Sequence, residues 1–323
     1  MKKAKHAGPD VLPSRSAASA QRSRRLVLDV ARHHFGESAR RVTERGGGLT
    51  NAVYELKTSQ GAFIVRTHED PTRISEYLKE QWAMDAARAA GVPTPRVLEV
   101  GNFADGRPYM VAEHAAGIEG RQASDRLGLL EQLGNAARTL HGIRTHGYGK
   151  VFDWSNNHLS RHATMTEFLA HGLDVEKRIA VLVQQRMIGR SQVAFLRRTV
   201  AGMARQKKPA VLQHGDLRLK NAIVDPKTGR LAALIDWDEC CSMPGPAWDL
   251  SIALHDLGVD EKEAFLAGYG MTPKAFAELL PYLRCFNILN YADAVRAAAE
   301  KKDKNRIAWL RLRLAGALEL GVG

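Results

Sequence analysis

The densest run of chemistry-bearing side chains is Leu212-Gln213-His214-Gly215-Asp216-Leu217-Arg218-Leu219-Lys220-Asn221-Ala222-Ile223-Val224. Fifteen residues beyond Asn221 comes Asp236, in Leu234-Ile235-Asp236-Trp237-Asp238. The pattern is a His-x-Asp-x-x-x-x-Asn loop between apolar runs, then a short hairpin ending in an apolar-Asp-aromatic step. These groups meet the needs of phosphoryl transfer. A carboxylate, Asp216, beside an acceptor hydroxyl can orient it and take its proton. A side-chain carbonyl on Asn221 and a second carboxylate on Asp236 can hold Mg2+ against nucleotide phosphates. Oxygen ligands suit this hard cation, which keeps water and phosphate in its shell, so two protein ligands suffice. An Asp- and Asn-rich turn between buried strands would use the same residue types. It would not require both carboxylates, the amide and the apolar flanks at this spacing.

The elements that must position these groups fall into two regions. Residues 1–22, rich in Ser, Ala, Lys and Arg with two prolines, read as a disordered tail. Leu26, Val27, Val30 and His34 mark one side of a short amphipathic helix over residues 24–34. Residues 52–57 and 62–66, joined by Ser59-Gln60-Gly61, predict a hairpin. A helix follows over about residues 74–90, ended by Gly91-Val92-Pro93-Thr94-Pro95, and strands are expected at 96–100 and 109–113. After Gly117 the period turns helical at 125–145, 161–205 and 259–320, with short strands at 210–212, 222–224 and 231–235. A β-rich lobe over 23–114 followed by a helix-rich lobe over 115–323 is an α+β arrangement. Residues 112–120 form the natural hinge, and ligands favour such inter-lobe clefts.

The HGDLRLKN loop, LIDWDE, and Gly245-Pro246-Ala247-Trp248-Asp249-Leu250 together resemble the aminoglycoside phosphotransferase and choline kinase superfamily, relatives of protein kinases. The resemblance runs from about Thr43 to the C-terminal helices. It implies a two-lobed, protein-kinase-like fold, with ATP or GTP as co-substrate, Mg2+ as cofactor and a small hydroxylated acceptor. By the same resemblance Asp216 is the base, Asn221 and Asp236 bind metal, Asp249 braces the loop through backbone hydrogen bonds, and His214 organises it. Gly46-Gly47-Gly48-Leu49-Thr50-Asn51 is similar to the family's GGxxN turn, which puts Gly47, Gly48 and Asn51 near the phosphates. Arg66 stands where many relatives have a phosphate-contacting strand lysine; arginine keeps the charge with a different geometry. Glu80, or Glu76 one turn earlier, is its expected helix partner. Tyr109-Met110-Val111-Ala112-Glu113-His114 resembles the hinge strand whose backbone reads the base.

Bulk properties narrow the alternatives. Among the 323 residues no apolar run approaches the roughly 20 needed to span a bilayer. The basic N-terminus lacks the apolar core of a secretory signal. Cys240, Cys241 and Cys285 form neither a disulfide framework nor zinc-ligand spacing, so reduced thiols and a cytoplasmic setting are expected. The net charge of +12 is concentrated at one end: residues 1–45 hold 11 Lys and Arg against 4 Asp and Glu. Residues 240–300 reverse the balance, with 8 acidic against 4 basic side chains. That distribution argues against a nucleic-acid surface on the folded part. The rival readings are a protein-acceptor kinase, opposed by the missing GxGxxG and activation segment, and a kinase-like binding protein using its basic arm, opposed by the intact Asp216, Asn221 and Asp236. Two open questions concern the acceptor. The acidic side chains among 238–293 would either attract a cation or form a solvated face. Trp154, Trp237, Tyr269, Phe286 and Tyr291 would either stack on it or belong to the core.

Overall fold

The N-terminal helix begins earlier than its apolar spacing suggested. In a computed structural model, which describes residues 17–36, 39–45, 52–150, 162–206 and 208–319, α1 runs Ala17–Phe35. It therefore takes in residues 17–22 of the expected tail, while residues 1–16 lie outside the described residues. Val27, Val30, Ala31 and Phe35 form its buried stripe.

The chain divides into two units, the first comprising residues 1–77 and 96–114. Its five strands are β1 (Arg41–Arg45), β2 (Ala52–Lys57), β3 (Ala62–Thr67), β4 (Val97–Asn102) and β5 (Pro108–Glu113), in the order β1-β2-β3-β5-β4. Every pairing is antiparallel. Side-chain alternation sends Tyr54, Leu56, Phe63, Val65, Tyr109 and Val111 into one core with the α1 stripe. The Phe35 and Phe63 rings stack there at 4.3 Å. Arg107 is buried and ties α1 down, its Nη1 donating to Ser23 Oγ at 3.1 Å and to Glu69 Oε1 at 3.0 Å. The opposite parity of β3 and β5 puts Arg66 beside Met110 in register, on the face turned away from the α1 core.

The helix α2 (Ile74–Ala89) crosses from one unit to the other: its residues through Tyr77 belong to the first, and 78–95 belong to the second with 115–323. Two contacts explain this second exchange, which a single cut at 114 does not contain. Lys79 Nζ donates to Asp238 O at 2.6 Å, and Leu234 N–H donates to Pro93 O at 2.8 Å.

The second unit continues with β6 (Ile118–Glu119), α3 (Arg126–Leu140), α4 (Met165–Glu167), α5 (Val175–Gln184), α6 (Arg190–Arg205), β7 (Ala210–Gln213), β8 (Ala222–Val224), β9 (Leu231–Leu234), β10 (Cys241–Pro244), α7 (Ala247–Ala253), α8 (Val259–Tyr269), α9 (Pro273–Glu300) and α10 (Lys304–Glu319). Its strands form a β6-β8-β9 sheet and a β7-β10 pair. The α3 and α8 backbones meet closely at two glycines. A Cβ on Gly134 would lie 2.1 Å from Phe265 O, and one on Gly268 would lie 2.0 Å from Glu131 O. The long α9, capped by Thr272, buries Leu283, Phe286, Ile288 and Leu289, and α5, α6, α7 and α10 pack against it. The three cysteines are free and buried. Among the described residues no helix is long and apolar enough to cross a membrane.

Candidate active site

The HGDLRLKN segment leaves β7 at Gln213, turns through Gly215 and enters the β6-β8-β9 sheet at β8 after a 3-10 turn over Leu219–Asn221. Gly215 has φ +87°, and a Cβ there would fall 1.9 Å from Glu239 O. Only glycine meets both constraints. The turn following Asp236 therefore packs directly against the loop. Trp237, fully buried, seals that turn: its Nε1 donates to Leu234 O at 3.0 Å, and its ring lies 4.6 Å from that of His214.

The loop is held from behind by Asp249, near the start of α7 and completely buried. Its carboxylate accepts the backbone N–H groups of His214 and Gly215, each at 2.7 Å. His141, just past α3, contacts the same carboxylate through Nε2 at 3.1 Å, and its Nδ1 meets the Tyr269 hydroxyl at 3.0 Å. Burial and the nearby Asp249 charge push the Tyr269 phenol up, so it stays a hydroxyl donor. His214 is satisfied on both ring nitrogens, with Nε2 donating to Ile235 O at 3.0 Å and Nδ1 facing the Asp216 N–H at 3.3 Å. It ties the loop to the strand end.

The three residues singled out for chemistry are brought together within the second unit. Asn221 Nδ2 donates to Asp216 O at 2.8 Å and to Asp216 Oδ2 at 3.0 Å. Both bonds use the amide nitrogen, which leaves Asn221 Oδ1 as the oxygen for a cation. Ile235 N–H donates to Asn221 O at 2.9 Å, which sets Asp236 beside the same turn, with its side chain exposed and its backbone at φ +67°. An amide oxygen and an exposed carboxylate are hard ligands of the kind Mg2+ takes. Among the described residues no group of three or more His, Cys, Asp or Glu side chains is arranged to hold a metal ion.

Two cations that the sequence reading passed over sit on the Asp216 carboxylate. Arg218 Nε lies 2.8 Å from Asp216 Oδ1, and Lys220 Nζ lies 2.7 Å from Oδ2. Burial works to raise the Asp216 pKa. Arg218, Lys220 and the Asn221 amide outweigh it and hold the carboxyl below its ordinary range. His141 and Lys79 were likewise missed, since each lies far from the loop in sequence, and Tyr269 was weighed there only as a stacking or core aromatic.

The remaining expected residues are placed as follows. Arg66, in the first unit, carries its guanidinium 5.5 Å from the Tyr77 ring centroid. Glu80, in the second unit, is buried, whereas Glu76 pairs with Arg73. Met110 and Val111 are both buried, Val111 in the α1 core and Met110 beside Arg66. The Glu113 carboxylate pairs with Arg96 at 3.1 Å, and its N–H donates to Arg96 O at 2.9 Å. Gly47, Gly48, Asn51 and Trp154 lie outside the described residues.

The acidic side chains of 238–293 do not make one free patch. Asp249 is buried under the loop, Glu239 pairs with Lys150, Asp256 with Arg313, Glu261 with Arg126, and Asp293 with Arg178 and Arg296. Of the aromatic candidates, Trp237 and Phe286 are core, while Tyr269 supports His141.

A family model described as the phosphotransferase enzyme family matches residues 41–282. That is well over half of the chain, which therefore belongs to this family and is a phosphotransferase. No curated protein matches it by sequence. Among solved structures it is similar to APH(4)-Ia, an aminoglycoside phosphotransferase, with a TM-score of 0.69 and 16% identity over 95% of this chain and 100% of the other. A thermostable mutant of APH(4)-Ia in ternary complex with ADP and hygromycin B matches at a TM-score of 0.67 and 18% identity, covering 92% of this chain and 99% of that one. The GDP and kanamycin complex of APH(2")-IIIa matches at 0.63 and 14%, covering 90% and 97%. At these identities the likeness is one of fold, the kinase-like arrangement of a β-rich part followed by a helical part.

Proposed function

We propose that the protein transfers the γ-phosphoryl group of ATP or GTP to a hydroxyl of a small molecule, with Asp216 as base and Asn221 and Asp236 holding Mg2+. The observation that carries this reading is the hydrogen-bonded unit formed by Asp216, Asn221 and the backbone before Asp236. In support, the Asp216 carboxylate, the Asn221 amide and the residue preceding Asp236 share one turn, and Asp249 fixes the loop's backbone from behind.

Bound Mg2+ would neutralise charge on the β- and γ-phosphate oxygens. The chain's own groups do the rest. Asp216 accepts a hydrogen bond from the acceptor hydroxyl, aims its oxygen at phosphorus and receives its proton as the new P–O bond forms. The bond from γ-phosphorus to the bridging oxygen breaks, releasing nucleoside diphosphate. A carboxylate with a depressed pKa is a weak base, so the proton moves as bond formation acidifies the hydroxyl. Arg218 and Lys220 sit where negative charge builds during transfer and offset it. The expected nucleotide contacts are the glycine turn with Gly47, Gly48 and Asn51, the Arg66 cation, the strand ending at Glu113, and Glu80 on α2. The same reading assigns nucleotide binding to residues 23–114 and the acceptor to 115–323.

The test is a screen of hydroxylated acceptors with labelled ATP and GTP, run beside Asp216→Asn. Mg2+-dependent labelling of an acceptor by the wild type, with loss in the variant, supports the assignment. Equal labelling by Asp216→Asn would refute the role of Asp216.

A further inference from the structure

α9 and α10, with Ile252 of α7 and the turn behind it, line a cavity of about 190 Å³. Three guanidiniums border it, those of Arg218, Arg306 and Arg313, against a single carboxylate, Asp256. Arg313 pairs with Asp256, so that negative charge is already matched. Arg306 lies 4.3 Å from the centroid of the exposed Trp309 ring and, among the described residues, has no carboxylate partner. Arg218 joins the cavity to the reacting loop through its contact with Asp216. His255 adds no positive charge at neutral pH, because burial first of all, opposed by Asp256 and assisted by nearby arginines, holds its pKa below the ordinary value. Its Nε2 meets the Tyr291 hydroxyl at 2.8 Å, and its buried Nδ1 is without a partner.

We propose that this cavity receives the acceptor and that the acceptor is a small hydroxylated anion, a sugar acid or sugar phosphate. Arg306 grips its charged group, and a hydroxyl is directed past Arg218 to Asp216. The inference rests on the phosphotransferase reading and specifies its substrate class. Guanidinium groups match carboxylate and phosphate oxygens in paired hydrogen bonds. A polyamine sugar would instead bring ammonium groups against the unmatched Arg306 guanidinium. The volume also falls below the roughly 300–1,000 Å³ of sites for drug-sized ligands, which suits a single ring. The Trp309 ring holds the guanidiniums at the cavity, with Arg306 4.3 Å and Arg313 4.9 Å from its centroid.

The experiment uses the full-length protein with Mg2+, ATP or GTP, and four probes: kanamycin as the cation, glucose as the neutral sugar, and gluconate and glucose 6-phosphate as anions. Nucleoside diphosphate release gives turnover, and calorimetry gives binding. For at least one anion kcat/KM is expected to exceed that of glucose and kanamycin by about tenfold or more. Arg306→Glu should lower that value about tenfold through KM, with nucleotide KM unchanged, and Arg306→Lys should restore part of it. A response to gluconate alone assigns a carboxylate, and a response to glucose 6-phosphate alone assigns a phosphate. Kanamycin or glucose outpacing both anions, anion kinetics indifferent to Arg306→Glu, or no anion binding at all overturns the anionic assignment and leaves phosphoryl transfer standing. Failure to bind Mg2+-nucleotide would overturn the underlying reading instead.

Discussion

Asp216 is pulled two ways, by burial that favours its neutral form and by Arg218, Lys220 and Asn221, which favour its charge. The charge wins, and the sign of the pH dependence follows. A folded-state pKa below the unfolded value of about 3.9 stabilises the fold above that pH, and the contribution is lost as pH falls through the folded pKa. The acid limb of kcat should likewise lie below the ordinary carboxylate range, and Arg218→Ala should move it upward in a pH–rate profile. Asp216→Asn should cut kcat by about 10²–10⁴ with little change in nucleotide affinity, measured by single-turnover kinetics and nucleotide titration. At Asp236 the positive φ matters as well. Asn tolerates that conformation far better than Ala. Asp236→Asn should therefore weaken Mg2+-nucleotide binding at nearly unchanged Tm, whereas Asp236→Ala should lower both.

At the scale of elements, the loop between β7 and β8 is rigid because α7 supplies a buried acceptor for two of its amides. Removing it in Asp249→Ala leaves both amides buried without their partner. That should cost about 3–5 kcal/mol in denaturant unfolding, together with most of the activity, while Asp249→Asn should be milder. Gly215→Ala should be comparably severe, since the added methyl meets Glu239 O and the backbone is left-handed. The Asp249 brace and the contact of Asp216 with Asn221 were legible in the sequence, because each residue sits in a short run of telling spacing. His141 and Tyr269 were not, for their roles come from the crossing of α3 and α8, where two glycines set the approach. The charge pattern of the C-terminal region stayed undecided in the sequence for a related reason. Counting acids along the chain overlooks arginines contributed by other helices, as Arg313 on α10 is to Asp256. Trp309 stands alone in sequence, and only the packing of α9 and α10 gives it a cavity to line.

For the molecule as a whole, the described part of the N-terminal region is helical from Ala17, five residues before the position where the sequence suggested the tail would end. Removing residues 1–16 should leave Tm and turnover close to those of the full chain, because every buried residue of α1 is retained. Removing residues 1–35 strips Val27, Val30, Ala31 and Phe35 from the sheet and Ser23 from Arg107, and should abolish cooperative unfolding monitored by circular dichroism. A further consequence comes from the path of α2, which passes from one unit into the other at Tyr77. The chain changes unit three times, after residues 77, 95 and 114, so no single peptide cleavage frees either unit intact. A fragment ending at 114 would keep residues 78–95 without Asp238 and Leu234, and one starting at 115 would lack them altogether. Recombination between relatives should accordingly succeed only where the donor segment brings both sides of that exchange, which makes α2 the inherited seam of the enzyme.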